Sequence, residues 1–298
     1  MPEDSTQTMQ LDIFDHSRDI MLRNDVVDAL ERREASTARA AWLIFSKEFP
    51  LDNTLSPLAV LINALEHRTC ASFLDHGAAS DARRLLNSEI APAAVRTFGE
   101  KAGATWLAPL WQEMAQRSTQ LSFRPDRSED HAAPLWLLAG DWSAATDAVA
   151  RIESWRRIPA PLAWMAEARY RVYGLEGAWA LLTELAWLSA GRFDRLTKRL
   201  ADPPLEKLRN GFDASFEGDG EVADLAWFPA WVLTEKPGLS RLLGETQHSL
   251  HSAPEQAMRL LLELLGLERQ GRHHDMVERR KALRDVHPSL YAAYMATR

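Results

Sequence analysis

The sequence predicts an all-α protein, and three observations lead to that fold class. The chain of 298 residues contains 44 Ala and 42 Leu, which an α-helix accommodates at low cost, against 17 Val and Ile together. Because β-branched residues pack best on a pleated surface, their scarcity argues against a sandwich, a barrel or a parallel sheet. Apolar residues also recur with helical period in nearly every segment. We therefore expect more than about 60% helix and essentially no strand.

The helices can be placed in chain order from their start and stop signals. The first runs over about 14–33, with Ile20 and Leu30 on one stripe, and the second ends at Pro50. A third begins at Pro57, because proline is favoured in the first turn. Further helices are predicted near 68–75, 79–89, 92–98, 103–117, 132–139, 142–154, 160–173, 176–190, 193–200, 204–211, 222–234, 237–244, 253–270, 273–286 and 288–296. Many short helices joined by short turns favour serial antiparallel helix pairs in a solenoid or a helical array.

One polar segment interrupts this series and predicts the domain organisation. Residues 118–131 are polar, contain a proline and show no apolar period. We therefore expect an N-terminal helical region over 1–117, a linker over 118–131 and a C-terminal helical region over 132–298.

Charge, cysteine content and hydropathy exclude several classes of protein. The net charge of −7 argues against a protein that coats nucleic acid, which needs a basic face. Apolar runs are far shorter than the roughly 20 residues of a membrane span, and the acidic N-terminus does not look like a signal peptide. The lone Cys70 cannot form an internal disulfide. The sequence thus predicts a cytoplasmic protein with no membrane or nucleic-acid partner, and 29 Arg against 6 Lys is typical of a GC-rich, bacterial genome.

An internal repeat is visible when the chain is shifted by 34 residues. The shift pairs Gly140 with Gly174 and Trp136 with Tyr170. Each glycine would lie in the turn between two helices, where a residue with positive φ closes the first helix.

This spacing resembles that of the tetratricopeptide repeat. The N-terminal match consists of Arg33, Ala38, Trp42 and Pro50, with Arg33 in place of the turn glycine, and Gly271 stands at a turn position near the C-terminus. The resemblance implies a right-handed stack of helix pairs whose concave face binds other proteins or peptides. It implies no catalytic residues.

Sequence motifs for catalysis, metals and cofactors are missing. There is no phosphate-binding glycine loop, no nucleophile elbow and no H-E-x-x-H pattern. The possible metal ligands form two groups, one with His67, Cys70, Asp75 and His76 and one with His273, His274 and Asp275. No regular spacing fixes either group as a site. We therefore predict no enzyme activity, no metal and no cofactor.

The eleven tryptophans admit two interpretations: rings that fill the wedges between helices, or anchors that line a partner groove. The repeat resemblance places Trp136 inside its unit. It places Trp164 and Arg171 on the open side of a helix, and Glu268 and Arg269 at similar positions. These four residues are the predicted partner-binding residues.

The predicted function is that of a non-enzymatic scaffold or adaptor that binds proteins through a concave groove. The alternative is a regulatory module that senses a ligand or peptide in the same groove. Charge is uneven along the chain, because residues 1–35 are acidic and residues 269–298 are basic. These two ends could pair in a homo-oligomer, although solvated helix faces also explain them.

Overall fold

The structure is a computed structural model, and it describes the backbone of residues 4–247 and 252–298 and the side chains from residue 18 onward, apart from 248–251. The chain is 79% helical, with fifteen α-helices and no strand in the described residues. The predicted all-α fold is therefore confirmed. The acidic side chains of Glu3, Asp4, Asp12 and Asp15, which contribute to the predicted oligomer contact, lie outside the described ones.

The chain divides into two compact units. The first unit comprises residues 1–122 with 129–140, and the second comprises 123–128 with 141–298. The helices of the first unit are α1 Asp4–Glu31, α2 Ala35–Glu48, α3 Leu55–Glu66, α4 His76–Leu85, α5 Ala91–Phe98, α6 Glu100–Arg117 and α7 Ala132–Ala139. A π-helical segment, Leu86–Ile90, joins α4 to α5 without a break.

The second unit begins its helices after Asp141. They are α8 Trp142–Ala150, α9 Pro159–Leu188, α10 Ala190–Leu200, α11 Pro203–Ser215, α12 Phe228–Glu235, α13 Ala253–Arg269, α14 Met276–Val286 and α15 Pro288–Ala296. Helices that follow each other along the chain pack together in both units, such as α1 with α2 and α13 with α14. This serial packing agrees with helix pairs in sequence order, and a solenoid remains a prediction.

The four predicted turn positions have positive φ. Gly140 has φ 78° and closes α7, and Gly174 has φ 68° and interrupts α9. Gly271 has φ 69° in the turn after α13, and Arg33 has φ 59° although it carries a side chain. A side chain makes positive φ unfavourable, so Arg33 is held there by its surroundings. Its guanidinium stacks on the ring of Trp106, 5.1 Å from the centroid.

Two details of the predicted helices are wrong. Residues 68–75 form no helix, because their backbone groups bond to α6 instead: the Phe73 amide donates to the Arg117 carbonyl oxygen at 3.0 Å. Ile20, predicted on the buried stripe of the first helix, is 46% exposed. The stripe that packs inward consists of Leu22, Val26, Ala29 and Leu30.

The border between the units differs from the predicted linker. Helix α7 belongs to the first unit, whereas the prediction assigns residues 132–139 to the C-terminal region. Part of the predicted linker over 118–131 is also helical, because Pro125–Asp130 forms a 3₁₀-helix. Asp130 is buried in the first unit, where it accepts hydrogen bonds from Ser80 Oγ at 2.6 Å and Arg83 Nε at 2.8 Å. This pairing attaches the end of the segment to α4.

Tryptophans fill the interior of both units. The buried ones are Trp106, Trp111, Trp136, Trp164, Trp179, Trp187 and Trp231, and the others are half-buried. The predicted burial of Trp136 is therefore confirmed. This distribution favours the interpretation of these rings as fillers of the wedges between helices.

The C-terminal helix α15 begins at a histidine that is part of an aromatic cluster. His287 Nδ1 accepts a hydrogen bond from the Leu290 amide at 3.1 Å, so the neutral ring caps the helix. The ring lies 4.5 Å from the Trp227 ring and 5.3 Å from the Phe216 ring, centroid to centroid. Burial lowers the pKa of His287 below its ordinary value, and the nearby Glu217 carboxylate opposes that shift.

This pKa shift predicts acid sensitivity. The unfolded chain binds a proton at His287 near pH 6.5, before the folded chain does, so the free energy of unfolding should fall as the pH is lowered below about 6.5. Asparagine also caps helices and does not titrate, so His287→Asn should show a smaller loss. Urea unfolding of both proteins between about pH 7.5 and pH 5 measures the difference. Equal losses would contradict this role of His287.

Candidate functional site

Trp164 is the predicted partner anchor, and its expected exposure is wrong. Its side chain is 5% exposed and its ring meets Phe123 edge-on at 6.1 Å. Every residue from Ala160 to Ala168 in α9 is buried. Because the side chains on every side of this stretch are buried, it has no face open to a partner.

Arg171, seven residues further along α9, is exposed. Its guanidinium lies 5.8 Å from the Trp142 ring centre, and Nη2 donates to the Arg199 carbonyl oxygen at 3.4 Å. No carboxylate among the described side chains pairs with it. The structure therefore does not bring Trp164 and Arg171 to one exposed surface, and partner binding by Arg171 stays a prediction.

The other two predicted residues contact the C-terminal part of the second unit. Glu268 accepts hydrogen bonds from the Tyr294 hydroxyl and from Arg298 Nε, the latter at 2.8 Å. Arg269 Nη1 donates to Ser240 Oγ at 3.1 Å. These contacts give both side chains an intramolecular role, and their use in partner binding stays untested.

The possible metal ligands near α4 do not meet. His67 Nδ1 bonds to the Asn63 carbonyl oxygen at 2.9 Å, and Asp75 caps α4 by accepting from the Ala78 amide at 2.8 Å. Cys70 is exposed. No group of three or more His, Cys, Asp or Glu in the described part of the chain is arranged to hold a metal ion.

Glu184 is a buried carboxyl with a shifted pKa, a feature that catalytic groups often have. Burial raises its pKa above the ordinary value, while the Gln247 amide and Arg156 oppose that rise. Its Oε1 accepts from the Gln247 amide at 2.8 Å and from Arg156 Nη2 at 3.1 Å. Through these hydrogen bonds the Glu184 carboxylate attaches the backbone at Gln247 to α9. This role is structural.

A concave site that the sequence does not predict lies in the first unit. It is a cleft of about 370 Å³ between α3, the α4–π segment and α6. Its apolar lining comprises Val60, Ala64, Ala82, Leu85, Leu86, Ile90, Leu110 and Met114. Its polar lining comprises Asn63, His67, Arg68, Glu89, Glu113 and Arg117. We call this site the α3–α6 cleft.

Each wall of the α3–α6 cleft is one face of a helix. The α3 wall is Val60, Asn63, Ala64 and His67, and the α6 wall is Leu110, Glu113, Met114 and Arg117. Both sets follow the spacing i, i+3, i+4, i+7, which marks a single helical face. Over seven residues such a face is about 10 Å long, or two turns. Faces of this pattern normally pack against another helix.

The third wall contains the π-helical turn, which has a local cause. Pro92 follows the turn, and its ring would clash with the carbonyl group of Ser88 in a regular α-helix while donating no hydrogen bond. The chain widens there, and the Ala91 amide bonds to the Leu86 carbonyl oxygen. Such turns occur frequently at functional sites. Leu86 and Ile90 of this turn form part of the apolar floor.

Charged groups gather where α3 and α6 end side by side. Arg68 Nε donates to Glu113 at 2.7 Å, and the Thr69 amide donates to the other Glu113 oxygen at 3.1 Å. Arg117 Nε donates to the Ala71 carbonyl oxygen at 2.9 Å. With two arginines and one glutamate, this end of the cleft has a net positive charge.

A single sequence contains only a partial signal for this cleft. The predicted helix over 103–117 includes Leu110 and Met114, but helical period alone does not separate a stripe that meets a neighbouring helix from one left open. The extra residue of the π turn also has no sequence signature beyond Pro92.

Comparisons with known proteins identify no relative. No family model matches the chain, and no curated protein or solved structure is similar to it. None of the described helices combines the length and the apolar character needed to cross a membrane.

Because Trp164 is buried and Arg171 is exposed, replacing each by alanine should change the free energy of unfolding by very different amounts. Trp164→Ala, like Trp136→Ala, should lower the free energy of unfolding by about 3–5 kcal/mol, because it empties a packed site. Arg171→Ala should change it by less than about 0.5 kcal/mol, as exposed substitutions usually do. Urea unfolding followed by circular dichroism measures both. A neutral Trp164→Ala would contradict the burial of that ring.

Proposed function

We propose that this protein is a non-enzymatic interaction module that binds an amphipathic helix of another protein in the α3–α6 cleft. The observation that carries the proposal is the set of helical faces around the cleft. An amphipathic helix with apolar residues at i, i+3, i+4 and i+7 fits such a groove by the ridges-into-grooves packing of ordinary helix pairs.

The arrangement of the polar lining supports binding rather than catalysis. Both oxygens of Glu113 are occupied, by Arg68 and by the Thr69 amide. The Nδ1 atom of His67 bonds within its own turn. Neither group is poised beside a nucleophile, so the cleft offers shape and charge rather than a reacting pair.

A small ligand in the same cleft is the second candidate. The volume of about 370 Å³ lies at the lower end of the range for small-molecule pockets, and the lining is mainly apolar with few charged groups. We favour the helix because the cleft is open at its rim, where His67, Arg68 and Glu89 are exposed, and because its walls continue for two turns.

The proposal also covers the cellular location of the protein and its self-association. We place the protein in the cytoplasm, where a chain with one cysteine needs no oxidising environment. Contact between the acidic N-terminal end and the basic C-terminal end of a second copy is compatible with this use of the cleft.

A designed peptide tests the proposal. The probe is a fluorescein-labelled helix of about 14 residues, or four turns, with Leu at i, i+3, i+4 and i+7 and Gln at its flanks. We expect it to bind the full chain and a scrambled peptide of the same composition to bind at least about tenfold more weakly, measured by fluorescence anisotropy. Ala64→Phe should abolish binding, because the half-buried Ala64 lines the cleft and the larger ring fills it.

Ala40→Phe is the matched control, since Ala40 is exposed on α2 and lies outside the cleft. It should bind the peptide as the wild type does, and both variants should keep the wild-type circular dichroism. Equal binding of the ordered and scrambled peptides, or full binding by a folded Ala64→Phe, would overturn the proposal.

A further inference from the structure

Arg117 in the cleft is held in place by its surroundings, and no described carboxylate pairs with it. We infer that the helix bound in the α3–α6 cleft carries an acidic side chain beside its apolar stripe, and that Arg117 binds this carboxylate. The inference rests on the proposed function, and it adds the charge of the partner and the residue that selects it.

The Arg117 side chain is held from two sides. Its guanidinium lies over the Phe73 ring, 4.0 Å from the centroid, and its Nε donates to the Ala71 carbonyl oxygen at 2.9 Å. Phe73 is itself buried, so the stacking surface is fixed. A guanidinium that is stacked and bonded through Nε loses little further freedom when its terminal nitrogens bind a carboxylate.

The natural intramolecular partner of Arg117 is occupied elsewhere. Glu113 lies four residues earlier on α6, a spacing at which Glu and Arg usually pair. Its two oxygens instead accept from Arg68 and from the Thr69 amide. No carboxylate in the part of the chain that the structure describes forms an ion pair with Arg117, so both terminal nitrogens lack an anion.

Charge complementarity therefore favours an acidic occupant at this end of the cleft. Arg117 and Arg68 lie at this end. Of the two carboxylates that the structure describes in the cleft lining, Glu113 pairs with Arg68 and Glu89 pairs with neither arginine. Arg117 lies about one turn beyond Met114, the last apolar residue of the α6 wall. A partner helix whose last Leu contacts this floor would place a residue one turn further along beside Arg117. A charge-assisted hydrogen bond there would add specificity as well as affinity.

The test compares two peptides on the full chain. Both carry the Leu stripe described above, and one has Glu where the other has Gln, one turn before the first Leu and one turn after the last. We expect the Glu peptide to bind wild type about tenfold more tightly than the Gln peptide. Arg117→Gln should remove this preference, so that it binds the two peptides equally, and Arg117→Lys should keep part of it.

Arg96→Gln is the matched control: it removes the same charge from an exposed site on α5, outside the cleft, and should keep the full preference. If wild type binds neither peptide, the proposed function fails together with this inference. If wild type binds both equally, or Arg117→Gln keeps the preference, the function stands and the role of Arg117 is overturned. If decanoate binds in the cleft and neither peptide does, the occupant is a small carboxylate rather than a helix.

Discussion

The first unit depends on one reciprocal attachment between a loop and a helix end. The loop over 67–75 contains no helix or strand, and α6 supplies several of its hydrogen-bond partners. The Phe73 amide donates to the Arg117 carbonyl oxygen, and the Arg117 side chain donates back to Ala71. Glu113 holds the start of the loop through Arg68 and Thr69. The bond from the Phe73 amide satisfies the Arg117 carbonyl group at the C-terminal end of α6. Together these contacts leave Arg117 at the edge of an apolar cleft.

Much of the fold was predictable, because helix signals are local. Gly140 and Gly174 were expected at breaks between helices, and both have positive φ there. The predicted helix over 103–117 corresponds to α6, Glu100–Arg117. The prediction failed at residues 68–75, where distant backbone groups of α6 replace the bonds of a local helix. Local propensity cannot anticipate a competing partner 40 or more residues away along the chain.

The site was less predictable, because it depends on which helix faces remain uncovered. Trp164 lies on a face that a repeat pattern leaves open, yet the helix around it is buried on all sides. Conversely, Leu110 and Met114 are typical core residues, and the same helix face also forms one wall of the cleft. Glu113 and Arg117 have the spacing of an ordinary surface ion pair. The structure shows that Glu113 pairs with Arg68 instead, and that none of the described carboxylates pairs with Arg117.

Paramagnetic relaxation enhancement from a nitroxide on Cys70 tests the central claim most directly. Cys70 is the only cysteine in the sequence, is exposed, and precedes Ala71, to which Arg117 is bonded. A bound Glu peptide should show the strongest broadening of its signals at one of its Glu-bearing ends, and Ala64→Phe should remove the effect. A peptide that binds without broadening, or with broadening that Ala64→Phe leaves unchanged, would contradict a binding site in the α3–α6 cleft.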